Sequence, residues 1–182
     1  VILSYKDRLK TVILRPATVC GFSKRLRLDV VLNIFSYQAF FKKKITVFGG
    51  SQVRPLLHIK DMIYVYEHFL KKNISGIFNV GFENVKISNI AKEVQKIIPC
   101  EIVSLKSNDP RSYRMNSDKL IRSGFKPSHN FKDAIMDLKN NFQKGFKPSE
   151  ENWNLNWLLK KKVIKKSAKW KKVRDNLKNC KI

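Results

Sequence analysis

The 182-residue chain is poor in acid: 14 Asp+Glu stand against 38 Lys+Arg, a formal net charge of +24. Its seven glycines, at positions 21, 49, 50, 76, 81, 124 and 145, form neither Gly-x-Gly-x-x-Gly nor Gly-x-x-Gly-x-x-Gly. A glycine-rich cradle for a dinucleotide pyrophosphate is therefore missing from this stretch. Cys20, Cys100 and Cys180 are far apart and odd in number, which excludes a disulfide framework and paired zinc spacing and points to a reducing, cytoplasmic setting. His58, His68 and His129 have no ligand spacing, so no metal site is expected. No apolar run approaches the roughly 18 residues of a membrane span, because Asn33 and Gln38 interrupt the longest candidate, residues 30–41. There is no initiator Met, no signal-peptide pattern and no internal repeat. The chain opens at Val1 in mid-pattern, as a segment of something longer would.

What is present is an ordinary globular composition, 43% apolar, at a length that suits one domain with a tail. Residues 10–16 form a short β-branched run closed by Pro16, as a strand buried on both faces would. Leu28, Val31, Leu32, Phe35 and Ala39 recur at helical spacing and predict a helix over residues 26–43, with Lys42, Lys43 and Lys44 at its negative end. Residues 45–48 read as a strand stopped by Gly49 and Gly50. Residues 58–72 read as a helix with Met62, Ile63, Tyr66, Phe69 and Leu70 on one face and Asp61 supporting its start. His58 is expected to pack against that start or cap it. Residues 76–81 and 101–105 predict further strands. Ser88 is a plausible N-cap for a helix ending at Pro99, and shorter helices fall at 117–123 and 131–142; Val1 to Leu9 fits the end of a helix. This alternation means α/β architecture. The expected division is residues 1–143 as the domain and 144–182 as a basic extension. The extension has thirteen Lys or Arg against Glu150, Glu151 and Asp175, with Trp153, Trp157 and Trp170 interspersed. It is expected to pack on its own domain through the tryptophans; an amphipathic helix on a membrane surface or on RNA is the alternative.

Several segments together carry a family resemblance. They are Leu14-Arg15-Pro16-Ala17-Thr18-Val19-Cys20-Gly21; Phe48-Gly49-Gly50-Ser51-Gln52-Val53-Arg54-Pro55-Leu56-Leu57-His58-Ile59-Lys60-Asp61; Gly76-Ile77-Phe78-Asn79-Val80-Gly81; and Asp109-Pro110-Arg111-Ser112-Tyr113-Arg114. The close, Ser123-Gly124-Phe125-Lys126-Pro127, continues the pattern. In this order and spacing they resemble the C-terminal half of the NAD-dependent epimerase/dehydratase family, the extended short-chain dehydrogenases that act on nucleotide sugars. The resemblance implies the C-terminal part of a Rossmann-type NAD(P)-binding fold with its smaller substrate-binding subdomain, and NAD (or NADP) as cofactor. It also implies a nucleotide-diphosphate sugar as ligand, and a possible homodimer formed through the half that is not here. The family's Tyr-x-x-x-Lys pair does not occur: the residues four after Tyr5, Tyr37, Tyr64, Tyr66 and Tyr113 are Leu9, Phe41, His68, Leu70 and Ser117. No catalytic residue is therefore expected in this segment. The resemblance places the pair upstream of Val1, on the helix that Val1 to Leu9 would end.

By the same resemblance, the loop Pro16, Ala17, Thr18 and Val19 lies beside the nicotinamide, and Arg54 and Arg111 bind substrate. Arginine's planar fork matches the paired oxygens of a diphosphate; the plain alternative for each is a surface salt bridge. Asn33, Arg25 and Arg27 are further substrate-contact candidates. Cys20 stands where the family has a tyrosine, and without a partner base it is not expected to act as a nucleophile. Two other functions stay open: a basic nucleic-acid-binding module using the tail, and a non-catalytic relative kept for binding.

Overall fold

The computed structural model describes residues 2–5, 7–107 and 109–161. Val1, and the basic stretch beyond Lys161 with Trp170 and Cys180, lie outside the described residues. Strands and helices alternate as β1 (Val12–Pro16), β2 (Thr18–Cys20), α1 (Val31–Tyr37), β3 (Lys44–Phe48), β4 (Val53–His58), α2 (Ile59–Leu70) and β5 (Gly76–Val80). They continue as β6 (Glu83–Lys86), α3 (Ile87–Ile97), β7 (Glu101–Leu105), α4 (Asp118–Arg122), α5 (Phe131–Gln143) and α6 (Asn154–Lys160). The expected α/β class holds. β1 pairs in parallel with β5, and β3 in parallel with β7. β4 lies between β2, which is parallel to it, and β6, which is antiparallel. The sequence reading missed β2 and β6, of 3 and 4 residues, which are too short for a hydropathy period to register, and β4, whose run of six is interrupted by Arg54 and Pro55. No helix among the described residues is long and apolar enough to cross a membrane.

β4 is the wall between two apolar cores. Because successive side chains on a strand point to opposite faces, Leu56 enters one core with Leu32, Ile90 and Leu138, while Leu57 enters the other with Val65, Phe78 and Leu120. Both leucines are about 1% exposed. The C-terminal segment closes over the first core, where Trp153 packs, and buried Asn152 donates its amide to Leu26 O at 2.8 Å and accepts from Leu28 N through its own carbonyl at 2.7 Å.

These contacts explain where the sequence reading erred. α1 begins at Val31 rather than residue 26, because the backbone around Leu26, Arg27 and Leu28 is claimed by the Asn152 and Asn33 amides and cannot bond to itself. Leu26 and Leu28 are still fully buried, in an irregular stretch. The helix then runs into a π-helical stretch, Gln38–Lys42. Ser88 is no cap: α3 starts one residue earlier, and the Ile87 and Ser88 N–H groups bond to the carbonyls of Gln52 and Gly50 at 2.9 and 3.0 Å. The helix end expected over Val1 to Leu9 is corrected as well. Ile2–Tyr5 form a single 3₁₀ turn, and no α-helix follows before β1 among the described residues.

The face of α2 is also corrected. It buries Asp61, Met62, Val65 and Phe69, whereas Ile63, Tyr66 and Leu70 are 50%, 54% and 87% exposed. Both stripes have helical spacing, and a buried acid chooses between them. The Asp61 carboxylate, with no exposed surface, accepts from Ser128 N, Ser128 Oγ, His129 N and His129 Nδ1, the last at 2.8 Å. It therefore holds the approach to α5 as well as the first turn of α2. The N-terminus of α5 is completed by a capping box between Asn130 and Asp133 and by Glu83, which accepts from Phe131 N at 2.6 Å. Burial pushes the Glu83 carboxyl above its ordinary value, with that hydrogen bond opposing.

His58 caps α2 as expected: its Nδ1 accepts from Lys60 N at 3.1 Å, so the ring proton sits on Nε2. Among the described residues Nε2 has no hydrogen-bond partner, with the Asp137 carboxylate at 3.5 Å, and the ring stacks on His129 at 4.6 Å. Burial, and then the charge of His129, lower the His58 pKa, with Asp137 opposing. Between its lowered value and the ordinary value near 6.5 the folded chain binds fewer protons than the unfolded one, so stability is complete above about pH 6.5 and falls as the solution is acidified. Urea unfolding at pH 7.5 and 5.5 should show that loss, and it should shrink in His58→Asn, which keeps a capping oxygen. Asp61→Ala strands several buried donors and should lower stability by about 3 kcal/mol in the same assay.

Candidate functional site

Two arginines meet on one carboxylate at the start of β4. The Gly49–Gly50 turn after β3 has both residues at positive φ, +78° and +108°, and returns the chain into β4. Gln52 fastens the turn, accepting from Gly50 N at 2.7 Å, and reaches across to donate to Asp109 O at 3.4 Å. Arg54 follows on β4. Its Nη1 donates to Val53 O and Arg111 O, its Nη2 lies 3.4 Å from Asp109 Oδ2, and its guanidinium sits 5.3 Å from the centre of the Tyr113 ring. Arg111 grips the same carboxylate with both tines of its fork, Nε to Oδ1 at 2.7 Å and Nη2 to Oδ2 at 2.8 Å, while its backbone N–H adds a third contact at 3.1 Å. The Arg54 side chain is 12% exposed and that of Arg111 76%, so one guanidinium is set in the wall and the other stands in solvent. The Arg111 hydrogen bonds hold the Asp109 carboxyl down to about 2. The same pairing raises the Arg111 pKa.

From Asp109 the chain runs as a strap along the sheet toward the β1–β2 corner. Ser112 Oγ accepts from Val53 N, Tyr113 N donates to Val53 O, and Met115 exchanges two hydrogen bonds with the side chain of Asn84. Ser117 Oγ accepts from Gly81 N at 3.0 Å and donates to Gly81 O at 2.8 Å. Gly81 must be glycine here, since a Cβ on it would lie 2.6 Å from Ala17 Cβ and 3.0 Å from Met115 Sδ. The strap thus joins the arginine pair to Ala17.

The Pro16–Val19 stretch is not a loop. Pro16 ends β1, Thr18 and Val19 belong to β2, and only Ala17 lies outside a strand, with its N–H bonded to Val80 O at 2.8 Å. Asn33 is buried and engaged at both ends, accepting from Gly21 N and donating to Arg27 O, so it fastens the 21–27 turn. Arg25 lies over the Trp157 ring and donates to Asn154 on α6; Arg27 pairs with Asp29. No contact brings these three to the Arg54–Arg111 pair. Cys20 is buried, its thiol donates to Leu57 O, and burial pushes its pKa up to about 12, so it is no nucleophile. The Tyr-x-x-x-Lys pair expected upstream of Val1 falls outside the described residues. The sequence reading missed Asp109, Tyr113 and Gln52. The Asp-x-Arg spacing of 109 and 111 was a legible signal for the first.

Residues 2–81 match the model of the NAD dependent epimerase/dehydratase family, bearing out the resemblance read from the sequence. Solved structures share the fold. A mutant UDP-glucuronic acid 4-epimerase from Bacillus cereus, in complex with UDP-4-deoxy-4-fluoro-glucuronic acid and NAD, is 26% identical with a TM-score of 0.68, and the match covers 80% of this chain and 49% of that one. The dTDP-glucose 4,6-dehydratase of Bacillus anthracis, in complex with NAD, is 19% identical with a TM-score of 0.68, covering 85% and 50%. The UDP-glucose 4-epimerase of Thermotoga maritima, with UDP-glucose, is 21% identical with a TM-score of 0.68, covering 79% and 50%. The chain spans about half the length of the solved chains it matches.

The ion-pair geometry can be checked by carboxyl titration. With its pKa depressed, Asp109 stays charged as the solution is acidified past the usual aspartate range and protonates only near pH 2. In Arg111→Ala, NMR should show that titration moving up toward about 4.

Proposed function

We propose that this chain is the substrate-binding half of an NAD(P)-dependent nucleotide-sugar epimerase or dehydratase, gripping the diphosphate of the nucleotide sugar with Arg54 and Arg111. The observation that carries the reading is that both guanidiniums converge on the single carboxylate of Asp109. A site that brings two forked cations to one pair of oxygens is built for an oxyanion. A wall arginine fixed by Val53 O and Tyr113, beside an exposed one, can hold two adjacent phosphate groups while the sugar extends toward Ala17. Uridine diphosphate sugars are the ligands of two of the matched epimerases.

The chain's own residues fit one end of the cofactor. Pro16, Ala17, Thr18 and Val19 lie where two parallel strand pairs meet, but the Ala17 N–H is already bonded, so Pro16 and the Thr18–Val19 backbone are left to border a nicotinamide. The chain has no glycine-rich turn for the dinucleotide's phosphates and no Tyr-x-x-x-Lys pair. NAD, when bound, supplies hydride removal and return at a sugar carbon. This segment binds the diphosphate and orients the sugar for it.

Isothermal titration with UDP-glucose should show binding that weakens about ten- to a hundredfold in Arg54→Ala and in Arg111→Ala, as the loss of one charged hydrogen-bonding group implies. The chain alone should give no turnover. Affinity for single-stranded RNA that exceeds affinity for UDP-glucose, falls steeply with salt and ignores both substitutions would favour the nucleic-acid module instead.

A further inference from the structure

We propose that Asp109 is a built-in occupant of the anion seat between Arg54 and Arg111, so that the seat admits a pyrophosphate group and refuses singly charged carboxylates and phosphodiesters. This rests on the diphosphate reading and sharpens it to a rule of ligand charge.

The carboxylate takes the place a bound oxyanion would take. Its two oxygens receive the Arg111 fork at 2.7 and 2.8 Å and the Arg111 N–H at 3.1 Å, with Arg54 Nη2 at 3.4 Å. Because it is two residues from Arg111 in the chain, it competes intramolecularly, without the loss of translational freedom that a free monoanion incurs on binding. A ligand with one negative charge gains no more Coulomb energy from the two guanidiniums than the carboxylate it displaces. A pyrophosphate group, with at least two charges on adjacent phosphorus centres, gains more from the same cations.

The surroundings allow the exchange. The Asp109 backbone is held apart from its side chain, by Gln52 Nε2 on its carbonyl and Ser107 Oγ on its N–H, so a rotamer change vacates the seat without moving the strap. Arg54 keeps its bonds to Val53 O and Arg111 O and its place beside Tyr113 when the carboxylate leaves. Arg111, 76% exposed, is free to follow the ligand.

The test is calorimetric titration of the full chain and its Asp109→Asn variant with pyrophosphate, and separately with dimethyl phosphate and acetate. The wild type should bind pyrophosphate and neither monoanion. Asp109→Asn should bind pyrophosphate about tenfold more tightly and acquire measurable dimethyl phosphate binding. Unchanged or weaker pyrophosphate binding in Asp109→Asn would make Asp109 a support for the arginines and overturn the proposal. Equal binding of dimethyl phosphate and pyrophosphate by the wild type would do the same. Arg54→Ala separates the two levels: if it leaves pyrophosphate affinity intact, the diphosphate reading itself falls. Should Asp109→Asn not fold, carboxyl NMR of the wild type decides. Saturating pyrophosphate should move the Asp109 carboxyl titration up from its low value as the arginines let go, and an unmoved titration refutes the exchange.

Discussion

A fully buried carboxylate sets the arrangement of the helices. Asp61 stands in the first turn of α2 and takes its hydrogen bonds from Ser128 and His129, which lead into α5. An ionised acid cannot be left unpaired away from water, so α2 must turn this residue inward and the 128–129 segment must come to meet it. Once α2 is so rotated, Met62, Val65 and Phe69 fall onto the core behind β4, and His58 lies under the helix start as its cap. α5 is then fixed along the other core, where Ala134, Ile135 and Leu138 close against α1 and α3. A polar contact thus sets the geometry that apolar packing fills.

The same strand carries Arg54 at its other end. β4 begins with Val53 and Arg54 and ends at His58, so the helix anchor and the arginine pair are separated by one strand buried on both faces. The strap from Asp109 to Ser117 is held largely by hydrogen bonds rather than by apolar burial: Ser112, Asn84, Asn79 and Ser117 each bond side chain to backbone along it. Such a segment is positioned by polar contacts at little hydrophobic gain, and it leaves the Arg111 side chain in solvent.

Much of this was legible in the residues. Strands β1, β3, β5 and β7 follow from apolar runs bounded by Gly and Pro, and α5 from its periodicity. Arg54 and Arg111 stand out because a recognisable motif surrounds each. What was hidden has physical causes. The rotation of α2 was invisible because its two apolar stripes differ only in which one lies beside Asp61, and hydropathy scores an acid as surface. The late start of α1 was invisible because Asn152, far along the chain, takes the hydrogen bonds that a helix would have made. Asn33 read as a possible ligand contact because an amide looks the same whether its partners are backbone or solvent. Arg25 and Arg27 were singled out by their place between the first strand's loop and the following helix, and the fold gives them Trp157 and Asp29.

Ala17 is the only residue between a strand of one parallel pair and a strand of the central sheet. A polypeptide that passes from one sheet to another with a single intervening residue has no slack: shifting either layer by one residue would drag the other out of register. The two layers therefore form one rigid frame. Any rearrangement is thrown onto side chains and the strap, with the angle between the sheets left as folding set it.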